Sequence, residues 1–370
     1  LFVARRALIR SRSNARLLEH AAAFLSESFR RSEILVLAPT RAAAHELALS
    51  AFERGCQGIH ALTITQLAVH LAARSLAEAK LAPISQLGTE ALANRIVHAA
   101  RQANELNYFA PVAQTPGFPR AAAKTIAELR LEGVEVSDLV AAGRPGADLA
   151  RLMKRYESEL EIRSLADLSI LLRLAAEETA SESHRFVGLP LVLLGLTIES
   201  LSHEELLAAL VEKSPDVLAA AITDDDRALP ALERVTGAPA ADVDAVESKF
   251  TLDRVRTWLF SPEQPPEAPP DAELLFSAPG ESLECVEMAR RIRKLAKQGT
   301  PFDHVAILLR NVEQYQPLVQ EAMRRASIPA YFSRGAARPD PAGRAFLALL
   351  ACAGEGCSAS RFAEYLSLGQ

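Results

Sequence analysis

Cysteine, aromatic residues and long apolar runs are all scarce in this chain, and each scarcity excludes a class of protein. Four cysteines, Cys56, Cys285, Cys352 and Cys357, are spread over 370 residues without a CxxC pair. That spacing argues against a zinc module or a disulfide-stapled fold and for reduced thiols. No apolar run approaches the roughly 20 residues that a bilayer-spanning helix needs. The opening LFVARRALIRSR lacks the apolar core and small-residue cleavage site of a secretory signal, so a cytoplasmic location without membrane attachment is the expectation. A net charge of -5 supplies no general field for nucleic acid or acidic lipid, and any DNA contact has to be local.

Catalytic signatures are equally thin. Nucleophile elbows and HExxH are missing, the eight histidines are scattered, and His98 and His304 read as structural. A carboxylate and lysine two apart, as a metal-dependent PD-(D/E)xK nuclease requires on a strand, occur at Glu78-Ala79-Lys80 and Glu247-Ser248-Lys249 without the preceding acid. Asp224, Asp225 and Asp226 form an acidic run at an expected strand end, read as an exposed loop because no convergent metal ligands accompany it. Neither Glu199 nor Glu205 has an assignable catalytic partner.

What the chain does contain is α/β grammar. Expected strands at Ala7–Arg10, Glu33–Ala38 and Ile59–Ile64 alternate with helices at Asn14–Arg30, Arg41–Arg54 and Gln66–Leu81, the order of a parallel sheet. From Pro83 to Ala180 only helical stripes appear, which predicts an all-helical insertion. The sheet resumes at LPLVLLGLTIESLSHEELL (Leu189–Leu207), a buried strand broken at Gly195 and followed by a helix whose expected cap is Ser202 with Glu205. A further strand is expected at Val217–Ile222. The proline-dense Ser261–Pro270 predicts a linker, beyond which strands at Glu273–Ala278, His304–Leu309 and Ile328–Phe332 alternate with helices at Leu283–Gln298, Glu313–Ala326 and Pro341–Ala353.

Ligands of open α/β sheets bind beyond the carboxyl ends of the strands, so those turns carry the functional reading. A phosphate loop needs glycines, a lysine and a hydroxyl; here the first turn reads Arg10-Ser11-Arg12-Ser13-Asn14-Ala15. Leu194, Gly195, Leu196 and Thr197 stand where nucleotide hydrolysis would require magnesium-binding carboxylates. Neither ATP nor magnesium is therefore expected as a cofactor. Pro39-Thr40-Arg41 and Thr63-Ile64-Thr65-Gln66 combine hydroxyls with helix starts, a pattern that caps a helix and can also hold phosphates.

In order and spacing these segments resemble UvrD-like superfamily 1 helicases. EILVLAPTRAAAHELA is similar to their strand and TxxAA-type turn, HALTITQLAVHLA to a TFHxLA-type turn, and Ser164–Leu168 to the DFxDL element closing their helical subdomain. VLLGLTIES and AAITDDDRAL fall where those enzymes carry DExxQD and GDxxQxIY. FDHVAILLRNVEQY with the later ASIPAY resembles the opening of their second motor domain. The lost acidic motif, together with RNVEQYQPLVQEAMRRASIPAYFSR, is closer to the B subunit of AddAB-type helicase-nucleases and to inactivated superfamily 1 helicases.

That resemblance implies two RecA-like parallel-sheet domains with an all-helical insertion: 1–82 and 185–260 for the first domain, 83–184 for the insertion, 261–270 for the linker and 271–370 for a truncated second domain. It implies a non-hydrolysing, DNA-binding subunit in double-strand break repair, with single-stranded DNA or duplex ends and a helicase-nuclease subunit as partners. Thr40, Arg41, Thr63 and Thr65 match the DNA face. Arg12, Ser13, Asn14, Leu194, Gly195, Arg227 and Arg310 match a degenerate nucleotide site. A DNA-positioning arm of a longer nuclease and a scaffold without DNA contact are the competing expectations. Leu1 in place of Met, and a helical pattern running to Gln370, suggest a piece of a longer chain.

Overall fold

The computed structural model describes residues 5–28, 33–181, 184–223, 225–244, 258, 262, 276–333, 335 and 341–368. The chain divides into two compact units, 1–267 and 268–370.

The first unit is built on a six-stranded, wholly parallel sheet. Its strands are β1 (Arg5–Ser11), β2 (Ile34–Leu37), β3 (Ile59–Leu62), β6 (Leu191–Leu194), β7 (Asp216–Ile222) and β8 (Ala240–Asp242), in the order β3-β2-β6-β7-β1-β8. Register is fixed by pairs such as Leu37↔Leu62, Leu37↔Leu193, Leu194↔Ala220 and Ser11↔Ile222. β2 and β6 are buried at every position, as strands covered on both faces must be.

Successive residues point to opposite faces, giving two cores. Ile9, Ile34, Val36, Val192, Leu194 and Leu218 pack with α1 (Asn14–Ser28) and α2 (Arg41–Glu53). Leu8, Leu35, Leu37, Leu191, Leu193 and Val217 pack on the other side, with α3 (Ile64–Glu78), α8 (Leu168–Ala180), α9 (Leu201–Lys213) and α10 (Ala228–Thr236). The helices of both layers therefore begin at one edge of the sheet.

Between α3 and α8 lies a helical body with its own core, formed by α4 (Gln86–Gln102), α5 (Phe118–Leu131), α6 (Val136–Ala141) and α7 (Gly143–Ile162) around Ile96, Ile126, Leu152 and Tyr156. No strand is expected in this stretch, yet a short parallel ladder joins its two ends: β4 (Ala82–Pro83) pairs with β5 (Leu165–Ala166). The expected insertion, 83–184, includes α8, whose Leu171, Leu172 and Ala175 join the core of the sheet instead. Two-residue strands carry no periodic signal, so neither feature could be read from the pattern.

Buried charge ties this body to the sheet. Arg130 on α5 donates from Nε to Asp167 Oδ2 at 2.7 Å and from Nη1 to Glu157 Oε1 at 2.5 Å, while Asp167 Oδ1 caps α8 by accepting from Ile170 N–H at 3.1 Å. Burial, with the Asp167 charge, pushes the neighbouring Tyr156 hydroxyl up to about 12. Inside the helical body, Asp148 is fully buried and accepts from the N–H groups of Asn107, Tyr108 and Phe109 at 2.8–3.1 Å. Those bonds fix the turn that follows α4.

The expected capping of α9 requires correction. The helix starts at Leu201 with Ser200 as its extended N-cap, and Ser200 Oγ lies 2.7 Å from Nδ1 of the buried His203. Ser202 Oγ instead donates to the Leu131 carbonyl at 2.7 Å, and Glu204 pairs with Arg234. Two serines two residues apart both satisfy a cap pattern, and the packing of α5 on α9 selects the first.

In the second unit, α11 (Glu281–Lys297) and α12 (Val312–Arg325) pack around Cys285, Ile292, Val319 and Met323. A separate hairpin follows, made of α13 (Pro341–Gly354) and α14 (Ala359–Leu368). The expected strands His304–Leu309 and Ile328–Phe332 are not in a ladder among the described residues, and His304 lies in a 3-10 turn, Phe302–His304. Val305, Ile307 and Leu309 still alternate onto the core, but Leu308 and Tyr331 are 93% and 92% exposed. Alternation without a neighbouring strand yields extended chain rather than sheet. Of the expected strand Glu273–Ala278, residues 276–278 are described and are not in a strand; residues 273–275, and all of Ser261–Pro270 but Pro262, fall outside the described residues.

Candidate functional site

Because every strand runs the same way, the turns after β1, β2, β3, β6 and β7 share one edge of the sheet. The β1–α1 turn is the most completely bonded of them. Ser11 is fully buried. Its hydroxyl contacts Asp244 Oδ1 and accepts from Ser13 N–H at 2.9 Å, and Arg12 N–H donates to Asp244 Oδ2 at 2.9 Å. Arg16, one turn into α1, stands 4.0 Å from the same carboxylate and donates to the Val243 carbonyl at 3.4 Å. Burial acts to raise the Asp244 carboxyl, but the bonds from Ser11 and Arg12 N–H and the charges of Arg16 and Arg12 outweigh it and hold it below its ordinary range.

A helix N-terminus with converging N–H and hydroxyl donors is an anion site, and here the anion is internal. Asp244 is delivered by β8, which runs parallel to β1 through Leu8↔Ala240, Ile9↔Ala241 and Arg10↔Asp242. The expected degenerate turn Arg12-Ser13-Asn14 thus has a protein ligand that sequence reasoning missed. Nothing local signals it, since the partner lies 233 positions away.

At the end of β6, Leu194 is buried and Gly195 turns the chain at φ +56°, donating to the Ala220 carbonyl at 2.7 Å. Leu196 and Ile198 then return to the core. The turn offers backbone groups and the exposed Thr197, and Glu199, the first carboxylate after it, is exposed on the way to α9. Beyond β7, Asp225 Oδ1 accepts from the N–H groups of Arg227 and Ala228 at 3.2 and 2.9 Å, capping α10. This carboxylate is a helix cap, and Arg227 is exposed at the head of α10. Asp224 lies outside the described residues.

The β2–α2 and β3–α3 turns lie side by side because β2 pairs with β3. Thr40 caps α2, its Oγ1 accepting from Ala43 N–H at 3.1 Å. Thr63 and Gln66 form a reciprocal capping box at the start of α3, with bonds of 3.3 and 3.0 Å. Neither helix has an acid in its first turn. Thr40, Arg41 and Thr65 are exposed and Thr63 is half-buried, and Arg41 makes no ion pair among the described residues. The structure therefore brings Thr40, Arg41, Thr63 and Thr65 together, at the starts of two helices that straddle the sheet.

Arg310 belongs to the second unit, exposed at the end of the extended segment, where Asn311 caps α12 by accepting from Gln314 N–H at 3.3 Å. Glu78 and Lys80 lie at the C-terminal end of α3, not on a strand, and Glu78 pairs with Arg74 at 2.8 Å. That placement removes the nuclease-like reading of Glu78-Ala79-Lys80; Glu247 and Lys249 lie outside the described residues. Among the described residues, no cluster of histidine, cysteine and acidic side chains could hold a metal ion, and no helix is long and apolar enough to cross a membrane. No protein-family model matches this chain, and no curated protein matches it significantly.

Proposed function

We propose that this chain handles DNA without hydrolysing nucleotide, as a helicase-like subunit with RecA-like domains related to AddB-type and inactivated superfamily 1 helicases. One observation carries the reading: along a single sheet edge, the anion donors after β1 are occupied by Asp244, while the helix starts after β2 and β3 face solvent beside Arg41, which has no ion pair among the described residues. The first arrangement leaves no cradle for a triphosphate, and the strand end after β6, Leu194–Thr197, has no carboxylate for magnesium. The second suits a phosphodiester backbone, which is held by hydroxyls, helix N-termini and arginine without reading bases.

Binding of a labelled single-stranded oligonucleotide, followed by anisotropy over a salt series, tests the proposal. Each phosphate neutralised contributes a slope of about -0.7 in log K against log salt, so Arg41→Ala should weaken binding and flatten that slope by about one such increment. A parallel ATPase assay should show no DNA-stimulated turnover. Salt-independent binding, or DNA-stimulated turnover, would overturn the reading.

A further inference from the structure

The end of α13 brings two of the four cysteines together. The helix closes through a bond from Cys357 N–H to the Cys352 carbonyl at 2.7 Å, with Gly356 at φ +65° and Cys357 at φ +64°. A six-to-one bond over a left-handed glycine is the Schellman arrangement, and it sets the side chains of its first and last residues against each other. In this chain both are cysteines.

Their surroundings differ in a way that gives each thiol a role. Cys357 is exposed, on a backbone conformation that a non-glycine residue seldom adopts. Cys352 is 5% exposed, its Sγ 3.8 Å from the Ser358 carbonyl. Burial pushes the Cys352 thiol up from its ordinary value, and the adjoining Cys357 thiol and Glu355 add to the shift. Cys56 and Cys285 are buried, in cores on opposite sides of the division between the two units.

We infer that Cys352 and Cys357 are a redox-active thiol pair that oxidises to an intrachain disulfide by exchange with a small-molecule disulfide such as oxidised glutathione. The exposed Cys357 thiolate attacks one sulfur of that disulfide, and one glutathione thiolate leaves. Cys352 then gives up its proton, its sulfur attacks the Cys357 sulfur of the mixed disulfide, and the second glutathione departs. Two protein thiols are oxidised, one disulfide is reduced to two thiols, and the protons pass from the cysteines to the glutathione thiolates. The new bond clamps the turn and fixes α14 to α13.

Intact and peptide mass spectrometry of the full chain after exposure to oxidised glutathione tests this. The wild type should lose two hydrogens within the peptide that spans both residues and carry no lasting glutathione. Thiols titrated in denaturant should fall by two from the four in the sequence. Cys352→Ser should trap a stable glutathione adduct on Cys357, whereas Cys357→Ser should leave Cys352 as unreactive as Cys56 and Cys285; circular dichroism verifies that both variants are folded. A wild type that stops at the Cys357 adduct with Cys352 still free, or one in which all four thiols react alike, would overturn the inference.

Discussion

Asp244 and Ser11 meet across 233 positions of sequence, the carboxylate of the first taking the hydroxyl of the second and, through its other oxygen, the N–H of Arg12. The contact joins the last strand of the sheet to the turn after the first. It places a negative charge at the start of α1, whose first turn contains no acid of its own, where the helix dipole favours one.

Asp244→Asn keeps the shape of that contact and removes its charge. It should lower the unfolding free energy by about 1–2 kcal/mol at neutral pH, the range of a charge-assisted bond in a partly exposed setting. Because the folded carboxyl is held below its ordinary value, its contribution is complete above that ordinary value and disappears as pH falls through the folded pKa. Urea denaturation of both proteins over an acid pH series should show the difference narrowing. A gap that stays constant with pH would assign it to shape rather than charge.

Gly195 turns at φ +56°, and a Cβ built there meets no atom within 4 Å. Gly195→Ala should consequently be purely a conformational penalty, about 1–2 kcal/mol. Gly195→Asn should cost less, since asparagine tolerates the left-handed region better. Thermal denaturation of the two variants provides the ranking, and equal losses would point to a steric cause instead.

Removing Arg130 leaves Asp167 and Glu157 without their counterion, with the Asp167 side chain only 9% exposed. Breaking a buried pair from one side costs about 3–5 kcal/mol. Arg130→Met should destabilise the first unit by that order in chemical denaturation. Amide exchange should quicken at the start of α8, because the Asp167 carboxylate that caps Ile170 is no longer held. Arg130→Lys, which cannot form the two-sided fork, should fall between wild type and Arg130→Met.

His203 is buried against Ser200, and burial lowers its pKa from the ordinary imidazole value of about 6.5. Above that value the imidazole is neutral in both folded and unfolded chains and makes no difference. Below it the unfolded chain takes up a proton that the folded chain resists, so stability falls with pH until the folded pKa is reached. His203→Gln should flatten this part of the stability profile between pH 6.5 and the lower folded value. An unchanged slope would remove His203 from the acid sensitivity.

The parts of this fold that could be read in advance are those written in local chemistry. Uniformly apolar ILVL and LVLL mark strands buried on both faces, and the threonines at 40 and 63 mark helix starts by offering a hydroxyl to a free N–H. β8 was illegible because Ala240–Asp242 has no β-branched residue and three residues make no period. Asp244 was illegible because its role exists only once β8 has docked beside β1. In the second unit the apolar run HVAILL reads as a buried strand, but an apolar run reports that side chains are covered and not whether a neighbour completes the ladder.

The two-residue pairing of Ala82–Pro83 with Leu165–Ala166 makes everything between them a closed detour: the chain leaves the sheet and returns within the span of one short ladder. Residues 84–164 leave and return at that one point, and α5 adds further anchors, from Arg130 to Asp167 and from the Leu131 carbonyl to Ser202. A change on the far side of that detour reaches the edge where Arg41 and Asp244 reside only by way of the short ladder and the anchors of α5.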